Sequence, residues 1–187
     1  MIGQHQPKQA IQTDLKGAIL IGVDECTTAL EEALQNLTDE QVWSYPLPGR
    51  HNIGTIVMHC LENLNGNALW NQVGKSLLDD DERFDMWSHS ADELRSLQQN
   101  LPGVRQMVEW LRALRAAISE GLETATEEDL RGPRAGSDWY AHHPGRTRAD
   151  ACLRTTMHTM AHIRQVWMLR GVMGLTDKEG WPEQHWA

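Results

Sequence analysis

The chain has 187 residues, a formal net charge of −9 and 40% hydrophobic side chains, enough length for one domain and enough apolar content to bury a core. Its acidic balance, with no basic tract, speaks against a nucleic-acid partner, because phosphate binding needs clustered Lys and Arg that displace counterions. The three cysteines, Cys26, Cys60 and Cys152, are widely spaced and odd in number, so they make no disulfide framework and a reducing, cytoplasmic compartment is expected.

Residues 1 to 12 are polar and read as a terminal extension. From Leu15 the positions Leu15, Ile19, Gly22, Cys26, Ala29, Ala33 and Leu37 keep helical spacing, which predicts a first helix of roughly five to six turns. The longest apolar run, Ala18 to Val23, lies within it. That run is too short to span a bilayer and is flanked by Asp14, Lys16, Asp24 and Glu25, so neither a membrane segment nor a signal peptide is expected. Thr38 to Gln41 reads as a capping box, and Tyr45-Pro46-Leu47-Pro48-Gly49-Arg50 as a rigid loop. A second helix should begin near Asn52 and run to about Val73. It carries Ile53, Val57, Cys60, Leu61, Leu64 and Ala68 on one face and Ile56, His59, Asn63 and Trp70 on another, as a widely buried helix does.

Asp79 to Glu82 reads as an acidic turn, and Ser90 with Glu93 as another capping box. Leu94, Leu97, Leu101, Val104, Val108, Leu111, Ile118 and Leu122 then stay in phase across Pro102. The third helix is therefore either kinked there or made of two pieces, the second carrying Pro102 in its first turn. A short helix is expected within Thr124 to Leu130 and a long crossing loop from Arg131 to Arg146. Thr147 with Asp150 caps a last long helix, about Arg148 to Met173. With one Phe and two Tyr against 8 Trp and 8 Met, Leu, Ile, Met and Trp must fill the core, a mix that suits helices. The expected fold is all-α: a four-helix bundle in one domain, 1–187, with about 1–12 and 174–187 as extensions. Ligand and metal sites in such bundles form between facing helices.

Chemistry concentrates in the last helix. His158 and His162 stand one turn apart, with Cβ atoms ~5–6 Å from each other, and two imidazoles so placed can grip one ion. Nine His in 187 residues give roughly 0.4 such pairs by chance, so a buried structural pair explains the spacing equally well. On a helical wheel the pair shares its face with Ala151, Leu169, Val172 and Met173, while Thr156 and Arg170 point away. His59, midway along the second helix, is the best-placed third ligand, although the wheel sets it off the main stripe.

One His in Ile53-Gly54-Thr55-Ile56-Val57-Met58-His59, followed nearly a hundred residues later by His158-x-x-x-His162-x-x-Gln165, resembles the DinB/YfiT-like superfamily. The resemblance runs over nearly the whole chain in helix order and spacing. It implies up-down-down-up connectivity with a long crossover loop, and a three-histidine site for a divalent metal, zinc or nickel. Carried over by position, the ligands are His59, His158 and His162. Many relatives have a small residue where this chain has Arg164, so the local shape of the pocket differs there. Some branches of the family are thiol-dependent transferases or isomerases, many others have no known reaction, and homodimers are common among the relatives.

Three neutral imidazoles bind at ~2.0–2.1 Å and leave an ion its full charge and an open position, as in catalytic zinc sites. Such an ion lowers the pKa of a coordinated water or holds a thiol as its anion. Asp150 and Glu62 are the nearest candidate bases, and neither is plainly inward. A thiol activated by the ion needs no base, which favours thiol transfer. The expected function is thus a metal- and thiol-dependent S-transferase acting on a small electrophile. The alternatives are a metal-dependent hydrolase or a non-catalytic metal-binding stress-response module. Arg154, one turn before His158, is the candidate to receive a thiol cofactor's carboxylate, against a rim salt bridge. Gln165 and Asn63 either orient ligands or satisfy backbone groups. Cys60 and Cys152 read as core residues. His142 and His143 fall in the crossing loop and either cap the pocket or are solvated, whereas His5, His51, His89 and His185 receive no role. Trp181 and Trp186 would pack in the core or over a partner subunit.

Overall fold

Each helix begins where a short polar side chain takes up a free N–H. The structure, a computed structural model, describes residues 14–69, 76–78, 93, 101–133 and 147–175. Its helices are α1 (Leu15–Leu34), α2 (Asp39–Trp43), α3 (Ile53–Asn63), α4 (Val104–Thr124), α5 (Glu127–Arg131) and α6 (Arg148–Val172), with α3 continuing as a π-helical turn, Leu64–Leu69. The Gly17 N–H donates to Asp14 Oδ1 at the start of α1, and the Thr55 N–H to Asn52 Oδ1 at the start of α3. Thr38 with Gln41, and Thr126 with Asp129, form reciprocal capping boxes. At α6 the Asp150 N–H donates to Thr147 Oγ1. Each such cap satisfies a donor that the helix itself leaves open.

The third long helix departs from the expected form. α4 starts at Val104 with Gly103 as N-cap, so Pro102 lies outside the helix rather than in its first turn. Gly103 offers no side chain, and the cap comes instead from α2: Asp39 Oδ1 accepts the Val104 N–H at 2.7 Å. A Cβ on Gly103 would stand 2.8 Å from that carboxylate. The Pro102 carbonyl accepts from Trp43 Nε1 at 3.0 Å, so α2 holds α4 at two points. The short helix after α4 falls at Glu127–Arg131, inside and just beyond the expected stretch.

Among the described residues the structure is all-helical, with one isolated β-bridge between Pro133 and Thr147. α1 packs against α4 and α6, and α3 packs against the same two helices. Ile19, Val23 and Leu30 of α1, Val57 and Leu61 of α3, Leu114 and Ile118 of α4, and Val166 of α6 are wholly buried between them. Several cross-helix contacts mark the register. Arg112 of α4 pairs with Glu31 of α1, and Arg115 Nη1 donates to Thr28 Oγ1 at 3.0 Å. Lys16 Nζ reaches the Ala125 carbonyl beyond α4. A Cβ at Gly22 would touch Thr156 at 3.6 Å, which shows how closely α1 approaches α6.

The wheel of the last helix needs correction. Thr156 and Arg170, expected to point away, are 7% and 3% exposed, while Val172, expected inside, is 50% exposed. α6 lies against both α1 and α3, so more than one stripe of it is covered. Arg170 serves the end of α1: Nη1 donates to the carbonyls of Ala33 (3.0 Å) and Gln35 (2.7 Å), and the guanidinium lies over Trp167. A cation there neutralises the negative end of the helix dipole while satisfying carbonyls that have no helical partner. Arg170→Met strands those acceptors inside the protein, and chemical denaturation should show a loss of about 2–4 kcal/mol.

No helix is long and apolar enough to cross a membrane among the described residues. The expectations for residues 1–12, Trp70 to Val73, Asp79 to Glu82, Ser90, Leu94 and Leu97 fall outside those residues. So do most of the crossing loop, with His142 and His143, and the tail with Trp181 and Trp186.

Candidate metal centre

α3 and α6 bring three imidazoles to one point. His59 Nε2 lies 2.9 Å from His158 Nε2, and His162 Nε2 lies 3.0 Å from the same atom. The rings meet edge to face, with centroids 4.4 to 5.1 Å apart. His162 is 8% exposed and the other two are half-buried. Backbone geometry accounts for this: i, i+4 spacing aligns His158 and His162 on one face, and α3 lays His59 against them.

The tautomers follow from the outer contacts. His162 Nδ1–H donates to Gln165 Oε1 at 2.7 Å, which leaves a lone pair on Nε2 aimed at the centre. His59 Nδ1 lies 3.6 Å from the Glu62 carboxylate, which favours its proton on that nitrogen and again leaves Nε2 bare. His158 Nε2 has a single in-plane position, holding either a proton or a lone pair, and can satisfy only one of its two neighbours by hydrogen bonding. A cation shared by the three nitrogens satisfies all of them. Around a tetrahedral ion with bonds of ~2.0–2.1 Å, donor atoms stand about 3.3 Å apart, so small ring movements convert the observed separations into a ligand set. The donor chemistry fits a divalent metal.

Burial favours the neutral form of His158 and His162. Burial, aided by the neighbouring His162, His59 and Arg154, depresses the His158 pKa from 6.5 to about 4. Burial also lowers that of His162, with the Gln165 hydrogen bond opposing. Neutral imidazole is the form that ligates a metal.

The three candidate ligands named from the sequence are thus brought together, and Gln165 bonds the outer nitrogen of His162. Arg154 is exposed on α6, close enough for its charge to act on His158. Glu62 is not inward but reaches the outer nitrogen of His59, and Asp150 remains in the first turn of α6. Cys60 and Cys152 are wholly buried in the core, as expected, and burial drives the Cys60 thiol well above its ordinary pKa. Sequence reasoning gave His51 no role, yet its positive charge would be felt at His162, and that of His59 lowers its own pKa after the larger effect of burial. It lies just ahead of the Asn52 cap of α3, outside the helix, so no helical spacing could have flagged it.

A family model described as the DinB superfamily matches residues 23–166. The chain also superposes on the crystal structure of a conserved protein from Enterococcus faecalis, at 18% identity and a TM-score of 0.64, over 84% of this chain and 96% of that one. At that identity the likeness speaks for the fold alone. No curated protein matches.

Proposed function

Because the chain belongs to the DinB superfamily, we propose that His59, His158 and His162 hold one divalent cation, zinc or nickel, for metal- and thiol-dependent S-transfer to a small electrophile. The observation that carries the reading is the convergence of one nitrogen from each of three imidazoles within 4.8 Å of one another, with the outer nitrogen of His162 bonded to Gln165 and that of His59 facing Glu62. A fold of four long helices running up-down-down-up is part of it. In support, residues 28 and 31 of α1 meet 115 and 112 of α4, whereas residues 22 and 33 of α1 meet 156 and 170 of α6. The first pair of contacts descends and the second ascends. Cys152 Sγ beside the Ala68 carbonyl, with His59 beside His158, supports α3 running antiparallel to α6.

When bound, a divalent ion in such a site supplies Lewis acidity and lowers the pKa of a coordinated thiol enough to make it a nucleophile at neutral pH. The chain's own residues do the rest. Gln165 holds the Nδ1 proton of His162, the Glu62 carboxylate faces Nδ1 of His59, and both favour inner lone pairs directed at one point. Half-burial of the rings limits water around the nucleophile. Arg154, exposed beside His158, presents a charge suited to the carboxylate of a low-molecular-weight thiol. The test is consumption of thiol in the presence of small electrophiles, with ion-loaded protein beside chelator-stripped protein. Turnover should require both thiol and ion. Product formed without thiol would replace the reading with hydrolysis, and an ion-loaded protein inert toward every pair would leave a binding module.

A further inference from the structure

The segment that follows His59, Asn63-Leu64-Asn65-Gly66-Asn67, is made of poor α-helix formers, because Asn competes for backbone groups and Gly has too much freedom. It leads into the π-helical turn, Leu64–Leu69. Side chains hold it in place. Asn65 Oδ1 accepts the N–H groups of Leu77 and Leu78, and its Nδ2 donates to the Leu78 carbonyl. Asn63 and Asn67 work toward the other side: Asn67 Nδ2 donates to Asn63 Oδ1 at 2.8 Å, and Asn63 Nδ2 donates to the His59 carbonyl at 2.9 Å.

The same Asn63 nitrogen lies 3.5 Å from His59 Nδ1 and 3.2 Å from His59 Nε2. A donor in the plane of an imidazole can approach only one ring nitrogen at such distances, so this amide sits against the face of the ring. His59 is thereby met on its face by Asn63, while the Glu62 carboxylate lies 3.6 Å from its outer edge. It is the one ligand candidate contributed by α3, whereas His158 and His162 share a helix. Its side-chain torsions have no second histidine on the same helix to settle them.

We propose that Asn63, braced by Asn67 across the π-helical turn, is the positioning residue that fixes the ring of His59 for the metal. The proposal rests on the three-histidine reading and adds to it a reason for the break in helical geometry beside the site. π-Helical turns place residues out of α-helical phase and recur at functional sites. Here the turn carries Asn67 while Asn63 precedes it.

The experiment measures zinc affinity by competition with a chromophoric chelator and the ligand-field absorption of the cobalt-substituted protein. The variants are Asn63→Ala, Asn67→Ala and the double variant, each with the melting temperature of its metal-free form. Asn63→Ala should weaken zinc binding by about 10–100-fold, the usual effect of losing a residue that orients a metal ligand, and should alter the cobalt spectrum. Asn67→Ala should move both readouts the same way by less. Since Asn67 acts through Asn63, the double variant should be no weaker than Asn63→Ala alone. Wild-type affinity and spectrum in Asn63→Ala, or independent losses that simply add, overturn the proposal while leaving the site intact. Wild-type protein that takes up no ion removes the site and this proposal together. If Asn63→Ala does not fold, Asn67→Ala reads the same relay from a half-exposed position.

Discussion

His158→Ala should abolish metal uptake, while the wild-type chain, purified without a nickel column, should carry about one divalent ion. His158 Nε2 is the atom both other imidazoles approach, at 2.9 and 3.0 Å, so its removal leaves the remaining two nitrogens without the member that links them. Losing a residue that merely orients a ligand costs ~10–100-fold in affinity, and losing the ligand costs more. Elemental analysis of both proteins decides the matter, and equal metal in each would discard the site. Protons give a second reading of the same group. A His158 pKa depressed from 6.5 to about 4 keeps that donor neutral, so its protonation should not expel the ion at pH 6. In the metal-free protein the unfolded chain takes up this proton before the folded one does. The contribution of His158 to stability is therefore complete above pH 6.5 and lost as pH falls toward 4. His158→Ala should flatten that acid limb.

Gly54→Ala should be the most damaging single-methyl change in the helix that carries His59. A Cβ at Gly54 would lie 2.6 Å from Cε3 and Cζ3 of Trp43, closer than two carbons can approach. The ring has little room to yield, because its Nε1 is tied to the Pro102 carbonyl and its backbone carbonyl to Asn52 Nδ2. Alanine improves helix propensity by about 1 kcal/mol, but forcing volume into a packed contact costs ~1–3 kcal/mol and sometimes more. At 2.6 Å the collision belongs at the top of that range, so we expect a net loss of about 2 kcal/mol, read as a fall of roughly 4–8 °C in melting temperature for a chain of this size. Trp43→Leu combined with Gly54→Ala should lose less than the sum of the two single changes, since the smaller side chain removes the collision. Additive losses would show that the contact is not the cause.

The caps made most of the helix starts legible. Thr38, Asn52 and Thr147 each announce a start because a short polar side chain has one favoured use beside free N–H groups. The start of α4 was not legible: its cap, Asp39, lies 65 residues earlier in the chain, and local sequence points to Pro102 instead. The i, i+4 histidines were readable as a pair because α-helical spacing alone aligns them. His59 was not, since Ile53 through Met58 are all buried and a helix covered on most sides has no single stripe from which to measure. For the same reason Arg170 and Thr156 were assigned to the wrong side of α6. The π-helical turn left only a composition signal, three Asn and a Gly in five residues, and the hydrogen bonds from Asn65 to residues 77 and 78 that accompany it are not placed by sequence.

The two helices that meet at the centre are far apart along the chain: His59 and His158 are separated by 99 residues. An ion gripped by both is a reversible cross-link that closes a loop of that length. In the chain-entropy view a permanent link of about 100 residues is worth ~4.7 kcal/mol, as in a disulfide. With all three cysteines free and buried, the molecule has no such sulfur bond among them, and the same tethering task would fall to the imidazoles. Resistance to unfolding would then vary with the free concentration of the ion, tying the lifetime of the fold to the metal supply around it.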